Sequence, residues 1–192
     1  MVVGVAGKYC AGKSTVAGVL ADGGYRVIDV DSLGHEALTR RIADVRRTFG
    51  DEYIDSDGVV DRRKLGGLVF RDSGAMRDLE RIVHPEMVQM VREQLAEAAD
   101  DRVVVSAALL FPMGLDALCD LALWVRAPLL TRLLRASRRD RLPVVEILRR
   151  FRAQRALRPQ PSRSDVDIHT VENRGDLERL RGRLIELSLL EE

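Results

Sequence analysis

Nine residues near the start of the chain, Gly7-Lys8-Tyr9-Cys10-Ala11-Gly12-Lys13-Ser14-Thr15, constrain the fold more than any other stretch. They fit G-x-x-x-x-G-K-[ST], the phosphate-cradling P-loop. Gly7 and Gly12 let the backbone bend so that successive N–H groups point inward at a phosphate. The helix that follows adds the partial positive charge of its N-terminus. Lys13 supplies a mobile cation for the β- and γ-phosphates of a nucleotide, and the Ser14 hydroxyl can ligate Mg²⁺.

The context fits the motif. Val2-Val3-Gly4-Val5-Ala6 before it is a short apolar run suited to a buried parallel strand, and Thr15 to Ala21 after it has apolar residues at helical spacing. The chain carries 31 Lys+Arg, yet only Lys8, Lys13 and Lys64 are lysines. In so arginine-biased a sequence, a lysine at position 13 points to a need for a compact point charge. The competing reading is a glycine-rich turn between strand and helix that binds nothing.

With 192 residues the expectation is one domain, with or without an insertion, and a substantial core. A net charge of +1 gives no global field for nucleic acid or membrane. No apolar run has the length of a membrane span, and no signal peptide precedes the first strand. Two cysteines, Cys10 and Cys119, make neither a disulfide framework nor a metal-ligand spacing, so a reduced, cytoplasmic setting is expected.

Further along, Tyr25 to Ile28 reads as the second strand, ending in Asp29-Val30-Asp31. Carboxylates at the C-terminal end of a parallel strand face the crevice where α/β folds bind ligands, although Asp29 or Ser32 could simply cap the next helix. Residues 32–101 read as a helical substrate-binding insertion: a helix from Ser32 to Thr48, a hairpin turning at Asp57-Gly58, a helix from Arg62 capped by Asp61, and two helices separated by a break at His84-Pro85. Arg102 to Ala107, Leu121 to Val125 and Ile168 to Val171 complete the strands, and Asp176 to Leu190 forms the closing helix. From Arg126 to Arg163 twelve arginines face only two acids, Asp140 and Glu146. That segment reads as a lid over a triphosphate, centred on residues 135–160, or as a solvated basic helix pair. The predicted fold is α/β: a P-loop NTPase three-layer fold with a five-stranded parallel sheet, helices on both faces, a helical insertion and an arginine-rich lid, in a single domain over 1–192.

The chain resembles the dephospho-coenzyme A kinases over nearly its whole length. The family reads roughly G-x-x-G-S-G-K-S-T where Gly7 to Thr15 stand, I-D-A-D at Ile28 to Asp31, D-G-x-x-D-R-x-x-L at Asp57 to Leu65, V-F-x-D at Val69 to Asp72 and L-E-x-x-x-H-P at Leu79 to Pro85. Arg139-Asp140-Arg141-Leu142 and Ala153-Gln154 match its R-D-x-L and A-Q. The chain departs from the family at Lys8-Tyr9-Cys10-Ala11, at His35 in place of an arginine, at Pro112 in place of a Glu after Leu109-Leu110-Phe111, and at Pro143. The family's A-D-x-V-I-x-N fits Asp167 to Asn173 only with a shift.

The resemblance implies ATP-dependent phosphorylation of the ribose 3′-hydroxyl of dephospho-coenzyme A, with Mg²⁺. It implies that Gly7 and Cys10 to Thr15 hold the nucleotide and that Asp31 accepts or orients the hydroxyl proton. Arg135, Arg138 and Arg139 are the candidate lid arginines. His35 and His84 are candidate substrate contacts, His84 alternatively fixing the turn before a helix. Leu109, Leu110 and Phe111 could floor the acceptor pocket or be plain core. No partner beyond ATP and dephospho-coenzyme A is expected, with neither nucleic acid nor membrane, and oligomeric state is open. The rivals are a nucleoside or nucleotide kinase, a GTP switch, which lacks N-K-x-D and a Walker B Asp here, and an arginine-rich nucleic-acid module.

Overall fold

A computed structural model of the chain describes residues 1–99, 101–140, 143–162 and 166–191, and of Asp140 the backbone alone. Arg141 and Leu142 of the R-D-x-L motif, and Arg163, lie outside the described residues. The described chain forms two compact units, Met1–Asp29 with Leu95–Glu192, and Val30–Gln94.

The first unit is built on five parallel strands: β1 (Val2–Gly7), β2 (Arg26–Asp29), β3 (Val103–Ser106), β4 (Leu121–Arg126) and β5 (Asp167–Glu172), in the order β2-β3-β1-β4-β5. Val-rich segments buried on both faces suit the centre of a parallel sheet, and all four residues of β3 are buried, as are Val3 to Gly7 of β1. On one face, Val3, Val5, Val104, Leu123, Val125 and Val171 pack against Val16 and Leu20 of α1 (Lys13–Asp22) and Leu180 and Leu184 of α8 (Leu177–Glu186). Asp176 caps α8 by accepting from the Arg179 N–H at 3.0 Å. On the other face Leu110 and Cys119 sit over Gly4, where an added Cβ would meet Leu110 Cδ2 at 2.8 Å. The rings of Phe111 and Trp124 lie 6.1 Å apart there. Two arginine-bearing helices, α6 (Leu129–Asp140) and α7 (Val144–Ala153), follow β4.

The second unit holds α2 (Val30–Arg40), α3 (Ile42–Phe49), α4 (Arg62–Val69) and most of α5 (Ser73–Glu97), with its own core around Val45, Val60, Leu65 and Val69. Asp61 caps α4 through the Lys64 N–H at 2.9 Å. Three local expectations are corrected here. The helix expected over 32–48 is two helices, parted at Arg41. The hairpin is a single antiparallel bridge, Ile54 to Val60, and the turn between is held by the Asp55 carboxylate, which accepts from the Asp57 and Val59 N–H groups. And His84-Pro85 does not break the chain: α5 runs through it for 25 residues. A proline inside a helix removes one hydrogen bond and costs ~3 kcal/mol. Here Pro85 and Arg81, whose carbonyl it orphans, are both exposed, so water can take that bond. Burial of Met87, Met90 and Val91 continues the helix beyond it.

Candidate functional site

The loop from Gly7 to Gly12 leads directly from β1 into α1. Gly7 is needed for close approach: a Cβ there would stand 2.6 Å from the Val125 carbonyl oxygen on β4. Gly12 is needed for conformation, with φ of 97°, and it forms the N-cap of α1 with no side chain to offer. The helix therefore presents its first turn uncapped by a side chain, as an anion site requires. Cys10 also has a positive φ, 58°, at the position where the dephospho-coenzyme A kinase pattern carries glycine. A cavity of about 450 Å³ lies over this loop, lined by Lys8, Cys10 through Thr15, and three residues of α6, Arg135, Arg138 and Arg139. Ser14 is exposed at its mouth, a hard oxygen donor of the kind Mg²⁺ takes beside phosphate oxygens. Among the described residues no cluster of three or more His, Cys, Asp or Glu could hold a metal by itself.

The arginines reach the loop through specific contacts. Arg132 Nε donates to the Tyr9 carbonyl at 2.9 Å, and Arg135 Nη1 donates to the Ala11 carbonyl at 3.1 Å. Tyr9, at the loop's outer bend, is gripped from several sides. Its N–H donates to Gln154 Oε1 at 2.5 Å, and its ring packs edge-on to Phe151 with centroids 5.8 Å apart. The guanidinium groups of Arg139 and Arg150 stand 5.3 and 5.4 Å from the ring centre. Such cation–π contacts contribute about 0.5–1 kcal/mol each at partly exposed sites. Arg132 lies over the Phe151 ring at 4.5 Å, and its Nη2 is buried without a hydrogen-bond partner.

Asn173, just past β5, is 1% exposed and ties loop to helix. Its Nδ2 donates to the Gly12 carbonyl at 3.3 Å, while its Oδ1 accepts from Arg135 Nη2 at 2.9 Å and from the Gly175 N–H at 3.2 Å. One amide thus bonds both the left-handed cap of α1 and an arginine of α6. Asn173, Tyr9 and Arg132 were missed as site residues in the sequence. Only the poor register of the family's terminal Asn offered a signal for the first.

The other named residues divide by unit. In the first, Leu110 is fully buried and lies in the core. Leu109 and Phe111 line a second cavity of about 450 Å³ with Pro112, Gln154 and Leu157. In the second unit, Asp31 does not end the strand as expected: β2 stops at Asp29, and Asp31 is exposed in the first turn of α2. His35 is exposed one turn later. His84 is half-buried in α5, and burial holds its imidazole below the ordinary value against the opposing pull of Glu80.

Residues 1–178 match the family model described as dephospho-CoA kinase. A dephospho-CoA kinase of Anaeromyxobacter dehalogenans is 38% identical over 188 residues, covering 95% of this chain and 88% of that protein. One from Bacillus licheniformis is 33% identical over 193 residues, covering 97% and 94%. A crystal structure from Thermus thermophilus superposes with a TM-score of 0.79 at 34% identity, covering 100% of this chain and 98% of that one.

Proposed function

The chain belongs to the dephospho-CoA kinase family, and on that footing we propose that it transfers the γ-phosphoryl group of ATP to the ribose 3′-hydroxyl of dephospho-CoA, giving CoA and ADP. The observation that carries the reading is the single cavity in which Lys13, the loop amides and three arginines of α6 face one another. Phosphoryl transfer asks a protein mainly for positioning and for positive charge where negative charge is spread. The loop amides and Lys13 bind the β- and γ-phosphates. Arg138 and Arg139 complement charge on the transferring group, and Arg135 holds the loop to the helix. Ser14 is the residue that would hold Mg²⁺, which would supply positive charge against the phosphate oxygens.

In the transfer a bond forms between the 3′-oxygen and the γ-phosphorus. The bond from the γ-phosphorus to the bridging oxygen breaks, and ADP leaves with that electron pair. We assign the hydroxyl proton to the Asp31 carboxylate, a general base two residues beyond the end of β2. The α6–α7 segment acts as the lid and the Val30–Gln94 unit binds the acceptor. No helix among the described residues is long and apolar enough to cross a membrane, and both cysteines are free, which supports a cytoplasmic site of action.

The test is ADP release measured with dephospho-CoA, with a panel of nucleosides, and with no acceptor. Turnover is expected with dephospho-CoA above all others, and Lys13→Ala should lower it by roughly a hundredfold or more, the scale of losing a preorganised charge contact. Faster turnover with a nucleoside would make the chain a nucleoside kinase instead.

A further inference from the structure

The outer bend of the P-loop carries an aromatic ring that phosphate binding does not require. Tyr9 stands at a position that the family pattern G-x-x-G-S-G-K-S-T leaves open. Its N–H donates to Gln154 Oε1 at 2.5 Å, and its carbonyl accepts from Arg132 Nε at 2.9 Å. These backbone bonds would fix the bend whatever side chain stood there, so the ring is an addition to them. It meets one arginine from each of the two helices after β4. The guanidinium of Arg139 on α6 lies 5.3 Å from its centre, and that of Arg150 on α7 lies 5.4 Å away. Arg150 Nη1 also donates to the phenol oxygen at 3.4 Å, and Phe151 packs edge-on with centroids 5.8 Å apart. Gripped by Arg150 and Phe151, the ring is a fixed partner for Arg139.

Arg139 needs such a partner. It sits in the last turn of α6, is exposed, and borders the cavity over the loop together with Lys13 and Ser14. A long exposed arginine samples many rotamers and gives up that freedom when it meets a phosphoryl group. A charge aimed beforehand needs less reorganisation at the moment of reaction. The ring restrains the guanidinium through its π face and, being neutral, leaves the positive charge uncancelled. A carboxylate at position 9 would restrain it too and would cancel the charge.

We propose that Tyr9 is a positioning residue for phosphoryl transfer, its ring holding the Arg139 guanidinium at the edge of the P-loop cavity; this rests on Arg139 meeting the transferring group. The measurements are kcat and KM for ATP, with dephospho-CoA as acceptor, in Tyr9→Leu, Tyr9→Phe, Arg139→Ala and the double variant Tyr9→Leu with Arg139→Ala. Leucine keeps the apolar bulk and the backbone bonds but removes the π face. Tyr9→Leu should therefore lower kcat about fivefold, the scale of one cation–π contact, and leave KM for ATP within about twofold. Tyr9→Phe keeps the ring and should recover most of the rate. Once Arg139 is gone the ring has nothing to place, so adding Tyr9→Leu to Arg139→Ala should lower kcat by less than about twofold. An equal loss in both backgrounds, a Tyr9→Phe enzyme as slow as Tyr9→Leu, or a raised KM for ATP at unchanged kcat would each overturn the assignment. An Arg139→Ala enzyme with wild-type kcat would overturn the role of Arg139 and this assignment with it. A wild-type protein that does not phosphorylate dephospho-CoA would overturn the acceptor alone, and the same four variants are then compared on the nucleoside that it does phosphorylate.

Discussion

Asn173 is where the loop geometry and the α6 charge meet, and its removal has a calculable cost. Asn173→Ala deletes one donor and one doubly used acceptor from a site 1% exposed. The Gly12 carbonyl and the Gly175 N–H lose neutral bonds, each contributing about 0.5–1.5 kcal/mol, and Arg135 loses a charge-assisted one of about 1.5–3 kcal/mol. Arg135 keeps the Ala11 carbonyl and is only half-buried, so part of its loss is recovered in water. The net is about 2–4 kcal/mol. For a chain of this size, roughly 2–4 °C per kcal/mol brings the melting midpoint down by roughly 4–16 °C. A second variant separates support from charge. Asn173→Asp keeps both acceptor contacts and strengthens the one to Arg135, but sets a carboxylate against the Gly12 carbonyl. It should melt above Asn173→Ala and yet share its raised KM for ATP, since both free the cap of α1. Thermal melts and steady-state kinetics on the three proteins decide the matter. If Asn173→Ala melts and binds ATP like wild type, or if Asn173→Asp restores KM, the amide does not hold the loop.

Two further substitutions probe the loop and the reaction. Cys10 sits at φ 58°, where an L-residue costs about 1–2 kcal/mol and glycine does not; glycine's extra freedom in the unfolded chain offsets part of this, so Cys10→Gly should stabilise by about 0.5–1 kcal/mol. A melting midpoint that falls rather than rises would show the strain is absorbed elsewhere. Asp31→Asn keeps the shape and removes the charge, so kcat should drop roughly a hundredfold while KM for ATP barely moves. Wild-type kcat in that variant, or a larger loss in Asp29→Asn, would move the base elsewhere.

The strands of the sheet were legible because the physics that makes them is local. A run such as Val103-Val104-Val105 has no exposed face to offer, so only a central parallel strand accommodates it. The P-loop was legible for a related reason: Gly7 and Gly12 are each required by one backbone fact, a close approach and a positive φ. Pro85 misled because a local rule, the helix-breaking proline, was outweighed by tertiary burial of Met87, Met90 and Val91 beyond it. Asp31 was placed one element too early for a simpler cause. Ile28 and Val30 are both β-branched strand formers, and nothing in them marks Val30 as the first residue of a helix.

The candidate site divides along the same line. Arg135, Arg138 and Arg139 could be picked out because a dense run of arginines after the fourth strand has few structural uses, and all three line the cavity over the loop. Among them, however, Arg135 differs in kind. Its hydrogen bonds to the Ala11 carbonyl and the Asn173 amide are those of a strut, and both acceptors are neutral. A guanidinium that rests on neutral oxygens keeps its charge uncancelled, so it can brace the loop and still add to the positive potential that draws in a triphosphate. An acid in place of Asn173 would still hold Arg135 but would lose the donor to the Gly12 carbonyl and cancel that charge. That is the reason an amide, rather than a carboxylate, suits this position, and no local pattern in the sequence could have revealed it, because the three partners come from β1–α1, α6 and the end of β5.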